Sequence, residues 1–354
     1  MLREQDVGHR IVVRRRVGVR GGRPVYSDAL GELVELSETH LTLTTRQGRL
    51  RVPIAEVHRA KRVPPARRPT AAAMIELELA ADEAWPAPVR ARLGDWLLRA
   101  ADGWTGRANS ALPVGDPDRP LPAALDAVQR WYAGHGRPAM VNTPLPLAAP
   151  VGSELDRRGW GSRPPVLVQT APLAALVAAA SKDAIIAASG VPEPTGEPGD
   201  TAGTGRRAGA EGAAGAGGAA SAVVELAGAP SADWLAVAAG RKGGLPDAAR
   251  HVLTAVDHIR FAHVYLDGVL VAVGRGTVTG QGRWLGLCLV EVLPAARRQG
   301  LAVRLIRALA DWAAGTGATD AFLQVEQSNA AAVALYRKLG FTTHHTYLTR
   351  IAPH

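Results

Sequence analysis

One stretch of the chain lacks the side chains that a folded core needs. Residues 195–221 read TGEPGDTAGTGRRAGAEGAAGAGGAAS and contain no Val, Ile, Leu, Met or aromatic residue. Such a segment cannot bury enough apolar surface to offset the entropy lost on ordering. We therefore predict a disordered Ala/Gly-rich linker over residues 181–221, with a typical span of about 35 Å, between folded parts on either side.

The remaining length is enough for two or three folded domains, because 47% of the 354 residues are apolar. No run approaches the roughly 18–20 apolar residues of a membrane span, and the N-terminus MLREQDVGHR lacks an apolar signal segment. The single cysteine, Cys288, is read as a small buried hydrophobe, and no Cys/His spacing suggests a metal site. We expect a cytoplasmic protein with no metal and no membrane partner.

Residues 1–68 show short alternating runs typical of β-strands. The predicted strands are 10–17, 31–36, 40–45, 49–52 and 58–63, with a 3₁₀ turn over 53–57. Five short strands with one such turn predict a small SH3-like β-barrel. Pro64, Pro65 and Pro69 end this unit.

The positive charge of the chain is concentrated at its N-terminal end. Residues 1–70 carry 15 Lys or Arg and 7 Asp or Glu, a net of +8, whereas the whole chain is +9. A local positive field attracts polyanions, so residues 1–68 could bind nucleic acid or an acidic protein. A solvated arginine-rich surface without a partner is the alternative.

Two further regions have mixed α/β patterns on either side of the linker. Within residues 72–180 the predicted elements are a helix beginning in 70–87, strands 95–99 and 108–112, helix 121–134, strand 140–143, helix 152–159 and strand 165–170. Within residues 222–354 they are helices 231–239 and 246–254, strands 260–266, 269–273 and 283–293, helix 300–315, strand 321–327, helix 329–339 and strand 341–351. The predicted fold class is therefore mixed α/β after the N-terminal barrel.

A turn rich in small and basic residues joins strand 283–293 to helix 300–315. It reads Pro294-Ala-Ala-Arg-Arg-Gln-Gly-Leu-Ala302. A helix N-terminus offers unpaired N–H groups and a positive dipole end, which together bind phosphate. Gly300 and Ala302 allow close backbone approach, and Arg297 and Arg298 add positive charge.

This turn resembles motif A of the GNAT family of N-acetyltransferases, with Arg297, Gly300 and Ala302 at its defining positions. About 27 residues later the chain reads N-x-x-A-x-x-L-Y-x-x-L-G-F from Asn329 to Phe341, which is similar to motif B of that family. Both motifs fall on the expected elements in the expected order. The resemblance implies that residues 222–354 form a catalytic GNAT domain that uses acetyl-CoA.

The resemblance also assigns roles to individual residues. Amides from Arg298 to Val303 would hold the pyrophosphate, the preceding strand would pair with the pantetheine arm, and Asn329 would contact that arm. The implied coenzyme-binding residues are Val290, Val292, Arg297, Arg298, Gln299, Gly300, Leu301, Ala302, Val303 and Asn329. Tyr336 would protonate the departing thiolate.

The family transfers acetyl directly to an amine, which must first lose its proton. Gly286 stands where histone-type members often carry a glutamate. Glu291 is therefore the tentative base, although a structural carboxylate is an open alternative. Glu326 and the pair His344-His345 are weaker candidates.

Residues 72–180 resemble the C-terminal half of a GNAT fold without its phosphate loop. Residues 113–120 contain three prolines, which lack amide protons, and two aspartates, which repel phosphate. We interpret this region as a degenerate, non-catalytic copy that covers one side of the acceptor site.

Three stretches resemble an actinobacterial GNAT subfamily with an N-terminal SH3-like domain and a histone-acetyltransferase-like C-terminal domain. They are residues 26–33, 93–100 and 107–110. The predicted function is acetyl transfer from acetyl-CoA to a primary amine, on a protein lysine or a small molecule, through a ternary complex. The alternatives are a regulatory protein that senses acetyl-CoA and a nucleic-acid-binding scaffold.

Overall fold

The computed structural model describes residues 2–45, 48–63, 69–177, 222–240 and 245–353. The chain divides into two compact units, Met1–Arg68 and Pro69–His354. The predicted linker over residues 181–221 lies outside the described residues. Within the described ranges, no helix has both the length and the hydrophobicity needed to cross a membrane.

The first unit is an antiparallel five-stranded sheet with the order β4-β3-β2-β1-β5. Its strands are β1 (Arg10–Arg20), β2 (Arg23–Leu36), β3 (His40–Thr45), β4 (Gly48–Pro53) and β5 (Val57–Arg62). Alternating side chains on one face form its core, which comprises Ile11, Val13, Leu33, Leu41, Leu43 and Val52. The predicted strands and the predicted 3₁₀ turn, observed at Ile54–Glu56, are therefore present.

The predicted closed barrel is wrong. The 3₁₀ turn Ile54–Glu56 leads from β4 at one edge of the sheet to β5 at the other edge, where β5 pairs with β1. A barrel closes only when its edge strands hydrogen-bond to each other. Within the described residues β4 and β5 do not pair, so the sheet is open.

The second unit is built on a sheet with the order β11-β12-β13-β14-β15-β10-β16-β8, with β9 paired to β16. Its strands are β8 (Met140–Leu145), β9 (Gly161–Ser162), β10 (Val166–Pro172), β11 (Ala222–Ala227), β12 (Ile259–Leu266), β13 (Val269–Thr279), β14 (Trp284–Val292), β15 (Asp320–Glu326) and β16 (Thr342–Ile351). A separate hairpin contains β6 (Val89–Leu93) and β7 (Trp96–Ala100). The pair β14–β15 is parallel, and the other neighbours are antiparallel.

Helices cover this sheet and supply its core contacts. They are α1 (Ala71–Glu83), α2 (Leu121–Gly134), α3 (Ala149–Arg157), α4 (Ala232–Gly240), α5 (Asp247–Thr254), α6 (Leu301–Gly315) and α7 (Ala330–Lys338). Helix α6 approaches β13 closely because β13 carries glycines beneath it. A Cβ on Gly274 would lie 2.5 Å from Leu305 Cδ2, and one on Gly276 would lie 3.0 Å from Leu309 Cδ2.

Strand β10 joins the two regions that the sequence separates at the linker. It lies between β15 and β16, with Val166 opposite Glu326 and Pro172 opposite Asp320. Strand β8 pairs with the other side of β16. Residues 72–177 therefore complete the sheet of residues 222–353, and the predicted division between them is not a boundary between compact units.

The strand predicted over 108–112 is largely absent. A 3₁₀ turn covers Arg107–Asn109, and isolated bridges follow at Ala111 and Leu112. Here the backbone is hydrogen-bonded by the Asn109 side chain and not by a neighbouring strand. Asn109 Oδ1 accepts from the N–H of Ala101 (2.8 Å), and its Nδ2 donates to the carbonyl of Thr105 (2.8 Å). Side-chain bonding to nearby backbone competes with regular structure in this way.

Candidate active site

The turn before α6 has a backbone conformation that is rare for ordinary residues. Arg298 and Gly300 have φ of +69° and +76°, and a Cβ on Gly300 would meet no atom within 4 Å. The first helical bonds run from Val303 and Arg304 N–H to the Gly300 carbonyl (3.0 and 3.1 Å). The N–H groups before Val303 therefore precede the hydrogen-bond ladder of the helix. Since Gly300 has no side chain, the space next to these N–H groups is open.

A bulge interrupts β14 just after its buried half. The register with β13 shifts between Val273, which is opposite Glu291, and Arg275, which is opposite Cys288. Leu289 lies in the extra segment with φ of +53°. An added residue bends and twists a strand, and bulges are common next to active sites.

Strands β14 and β15 separate at the same place. Their parallel pairing runs from Trp284 opposite Asp320 to Leu287 opposite Leu323 and then stops. A cavity of about 510 Å³ is lined by residues 287–291 of β14 and 323–326 of β15. The sheet therefore opens into a cleft at the carboxyl ends of its two parallel strands.

Four of the predicted site residues line this cavity: Val290, Glu291, Asn329 and Tyr336. Asn329 caps α7 by accepting from the Ala332 N–H (3.2 Å). The Tyr336 ring packs edge-on against Phe341 with 5.8 Å between centroids. The structure thus brings the predicted acid and the predicted base to one cavity.

The other predicted coenzyme residues belong to the end of β14 and the start of α6. They are Val292, Arg297, Arg298, Gln299, Gly300, Leu301, Ala302 and Val303, and among the described residues they are not part of the cavity lining. Arg297 donates from Nε to the Val292 carbonyl (3.1 Å) and from Nη2 to Glu291 Oε1 (3.3 Å). The predicted base is therefore ion-paired with a predicted phosphate ligand, and 23% of the Glu291 side chain is exposed.

Residues from before β10 also line the cavity, and no sequence pattern assigned them to a site. They include Trp85, Thr105, Arg107 and Arg163. The Trp85 indole donates to Thr105 Oγ1 (3.1 Å), stacks on Trp104 (5.3 Å) and carries the Arg107 guanidinium at 4.7 Å from its ring centroid. The "Arg107-Ala-Asn-Ser110" stretch was a signal for this part of the lining, but its contacts depend on the fold.

Cys288 is less buried than the sequence interpretation expected: it is half-buried on β14, packs against the core and also lines the cavity. Its Sγ lies 3.4 Å from Nη1 of Arg275, a fully buried arginine on β13. Arg275 also donates to the carbonyls of Leu253 and Ala84, both at 2.8 Å. Burial lowers the pKa of Arg275. These bonds fix the ends of α1 and α5 next to the bulge.

Tyr347 of β16 also reaches the cavity. Its hydroxyl donates to Gln324 Oε1 (3.3 Å), and burial raises its pKa to about 12. The tyrosine is therefore protonated at neutral pH. Nothing in the local sequence around Tyr347 distinguishes it from a core tyrosine.

The histidine pair lies elsewhere. His345 Nε2 is 2.7 Å from Glu78 Oε1, and His344 Nδ1 is 2.8 Å from His345 Nδ1. His345 and Glu78 are buried between β16 and α1, and neither histidine lines the cavity. This cluster holds α1 to the sheet, whereas Glu326, the other weak candidate base, does line the cavity.

Comparison with known proteins identifies the family. A family profile described as "Probable histone acetyltransferase Rv0428c C-terminal" matches residues 71–190 and 210–349, which is most of the chain. The chain belongs to this family. It is a GNAT N-acetyltransferase, which confirms the enzyme class predicted from the two motifs.

The relatives support the same class of GNAT enzymes. The chain is 29% identical over 361 residues to the probable histone acetyltransferase Rv0428c of Mycobacterium tuberculosis, covering 98% of this chain and 95% of that protein. It is 39% identical over 95 residues to a mycothiol acetyltransferase of Amycolatopsis mediterranei, covering 23% and 32% of the two chains. A GCN5-related N-acetyltransferase from Kribbella flavida has a similar fold, with a TM-score of 0.53 at 18% identity over 79% of this chain and 95% of that one.

This GNAT enzyme has no room for a side chain at the position of the histone-type glutamate. A Cβ on Gly286 would lie 2.8 Å from Phe322 Cζ and 3.0 Å from Thr277 Oγ1. In the middle region, residues 113–120 stand where a phosphate-binding turn would be, and two of their N–H groups are already hydrogen-bonded. There, the N–H of Asp116 donates to Asp95 Oδ2 (2.9 Å) and the N–H of Asp118 donates to Asp116 Oδ1 (2.8 Å). These aspartates take the amides that a phosphate would need.

Proposed function

We propose that this enzyme transfers acetyl from acetyl-CoA directly to a primary amine, within a ternary complex, in the cavity between β14 and β15. The observation that carries the proposal is the separation of these strands beside Tyr336. Within the part of the chain that the structure describes, it leaves the half-buried segment 288–292 of β14 without a paired strand on the β15 side. An extended pantetheine arm could add to that edge as another strand does.

The turn before α6 fits the diphosphate of acetyl-CoA. Its N–H groups precede the helical ladder, its two left-handed residues turn the chain, and Gly300 presents no side chain. A helix N-terminus with these features binds phosphate through amide donors and the helix dipole. The exposed Arg298 adds positive charge. We assign the diphosphate to residues 298–303, with Arg297 bracing the end of β14.

The reaction needs few groups. The neutral amine attacks the thioester carbonyl, the C–N bond forms, and the C–S bond breaks as the tetrahedral intermediate collapses. A β14 backbone N–H at the bulge would stabilise the oxyanion. Tyr336 would give its proton to the departing thiolate, and the nitrogen, which loses one proton on becoming an amide, would return that proton to Tyr336 directly or through water. Asn329, whose amide lines the same cavity, would hold the pantetheine arm.

The acceptor amine must lose a proton before attack. For an amine with a pKa near 10.4, forming the neutral species at pH 7 costs about 4.6 kcal/mol. Glu291 lines the cavity and is the proposed proton acceptor, directly or through water. Its Oε1 accepts from Arg297, which fixes the orientation of the carboxylate.

The direct test is the release of free coenzyme A thiol from acetyl-CoA with a panel of primary amines. We expect release that depends on both substrates and intersecting double-reciprocal plots, as a ternary complex requires. Binding of acetyl-CoA without release with any amine would favour the sensing alternative. Parallel plots would indicate a covalent acetyl-enzyme and contradict direct transfer.

The basic groove on the first unit favours a second activity, the binding of a polyanion. A groove of about 550 Å³ on its sheet is lined by four basic residues, Arg10, Arg14, Arg59 and Lys61, together with Asp28 and the apolar Val12 and Leu30. Arg14 is ion-paired with Asp28 (2.8 Å), so this pair adds no net charge to the groove. Binding through such charges weakens steeply with salt. We expect duplex DNA or RNA to bind the full chain at low salt, and Arg59→Gln/Lys61→Gln to weaken binding relative to Arg23→Gln. Salt-insensitive or absent binding would contradict this.

A further inference from the structure

The cavity contains two arginines that the acetyl-transfer chemistry does not use. Arg107 and Arg163 both line it. No carboxylate among the described residues lies within ion-pair distance of either guanidinium. Nearby arginines differ: Arg99 pairs with Asp82 (3.1 Å) and Arg158 with Glu154 (2.8 Å). Among the described residues, the two cavity arginines therefore have no carboxylate partner; Arg107 is half-buried and Arg163 is exposed.

The loop that carries Arg107 is held rigidly. Asn109, which is buried, binds the backbone of Ala101, Gly103 and Thr105 through its side chain. Thr105 has a φ of +63°, a conformation that β-branched residues adopt only when their surroundings impose it. Trp85, only 2% exposed, positions the guanidinium of Arg107 above its ring. Arg107 is thus preorganised.

Arg163 reaches the same loop from the strand side. Its backbone N–H donates to the Thr349 carbonyl (2.9 Å), which fixes the chain at β16. Its Nη1 packs over Gly106, where a Cβ would lie 2.7 Å from that nitrogen. Because Gly106 precedes Arg107, Arg163 contacts the loop that carries Arg107.

We propose that the acceptor is a small primary amine that also bears an anionic group, and that Arg107 and Arg163 bind this group. The inference rests on the proposed function. The planar guanidinium fork suits a carboxylate or a phosphate. Glu326 supplies the opposite charge in the same cavity, which suits the ammonium form of the incoming amine. Glu291, which Arg297 orients, then takes the proton of that amine.

This arrangement disfavours a lysine-rich peptide as acceptor. Such a peptide brings further positive charges next to two arginines that have no carboxylate partner among the described residues, and like charges repel. An amine with its own anionic group carries complementary charges to both Glu326 and the arginines. The middle region, which lacks a usable phosphate turn, therefore acts as the part of the enzyme that selects the acceptor.

The test compares matched acceptors in the thiol-release assay with the full chain. β-Alanine carries a carboxylate and 2-aminoethylphosphonate carries a phosphonate. Propylamine has a neutral arm, and a lysine-rich peptide has a cationic one. We expect kcat/KM to be at least about tenfold higher for one anionic arm than for propylamine. Which anionic arm is better identifies carboxylate or phosphate as the bound group.

Variants then locate the effect. Arg107→Gln and Arg163→Gln should each lower kcat/KM for the preferred acceptor by about tenfold, mainly through KM. The KM for acetyl-CoA should stay unchanged, and the loss of rate should be smaller with propylamine, which has no anionic arm. Arg107→Lys should restore part of the loss because it keeps the charge. Arg130→Gln, an exposed arginine on α2 outside the cavity, is the matched control.

Several results would overturn the inference. Equal rates with propylamine and both anionic amines would do so while leaving acetyl transfer itself intact. A preference for the lysine-rich peptide, or an equal loss for all acceptors in the arginine variants, would also reject it. Absence of thiol release with every amine, from protein that binds acetyl-CoA, would reject the proposed function and this inference with it.

Discussion

Arg297 and Glu291 are joined by a hydrogen bond of 3.3 Å between Nη2 and Oε1. The same guanidinium holds the Val292 carbonyl at 3.1 Å. Arg297 therefore links the last residues of β14 to the turn before α6. This ion pair connects the cavity to the turn before α6, whose N–H groups precede the hydrogen bonds of the helix.

Glu291 has two proposed roles, accepting the proton of the acceptor amine and holding Arg297, and a substitution can separate them. Glu291→Gln keeps an oxygen that can accept from Arg297 but removes the charge. If the carboxylate takes the proton of the acceptor, kcat should fall by about 100-fold with little change in affinity for acetyl-CoA. Steady-state kinetics beside Glu225→Gln, an exposed β11 residue, measures this. An unchanged kcat would limit Glu291 to holding Arg297.

Tyr336→Phe tests the proposed acid. The substitution keeps the ring that packs edge-on against Phe341 and removes only the hydroxyl. We expect kcat to fall by about 100-fold, because the thiolate leaves without a positioned proton donor, while the dissociation constant for acetyl-CoA stays the same. Tyr265→Phe, on β12 and outside the cavity lining, is the control. Full turnover in Tyr336→Phe would contradict the acid assignment.

Gly286 should tolerate no side chain. Because a Cβ there would lie 2.8 Å from Phe322 Cζ, we expect Gly286→Ala to lower the free energy of unfolding by about 1–3 kcal/mol. Gly134→Ala, where a Cβ meets no atom within 4 Å, should not be destabilised. Chemical denaturation of both variants measures the difference. A stable Gly286→Ala protein would mean that β14 and β15 are less tightly packed than described.

The histidine cluster should make stability sensitive to mild acid. Burial, and then the neighbouring His345, lower the pKa of His344 below its ordinary value of 6.5, although Glu78 and Glu76 act in the opposite direction. The unfolded chain therefore binds this proton more tightly, so the free energy of unfolding should fall as pH drops below about 6.5. His344→Gln should flatten that fall between about pH 7 and 5.

Denaturant melts across this pH range provide the measurement. His135→Gln, at an exposed histidine that follows α2, is the matched control and should keep the slope of the original protein. An identical slope in His344→Gln would show that the proton uptake occurs elsewhere.

Local patterns predicted the elements, and the motifs predicted the chemistry. Helix 300–315 is observed at Leu301–Gly315, and the turn before it has the left-handed Gly300 that its sequence suggests. These features depend on neighbours in sequence, as do the five strands of the first unit. Propensity and periodicity act at that range.

The features that depend on distant contacts were missed. The insertion of β10 between β15 and β16 joins residues on both sides of the linker, and no local pattern encodes that pairing. The wall formed by Trp85 and Arg107 requires a stacking contact across the chain. Barrel closure depends on whether β4 meets β5. The strand predicted at 108–112 was lost to the side chain of Asn109.

Calorimetric titration of the full chain with acetyl-CoA tests the central claim most directly, using Gly300→Ala and Gly315→Ala as a matched pair on α6. The φ of +76° at Gly300 and its place among the turn amides predict that Gly300→Ala weakens binding by about tenfold or more. Gly315→Ala, at the far end of the same helix, should bind as the original chain does. Folded protein that takes up no acetyl-CoA, or equal affinity in both variants, would contradict the account.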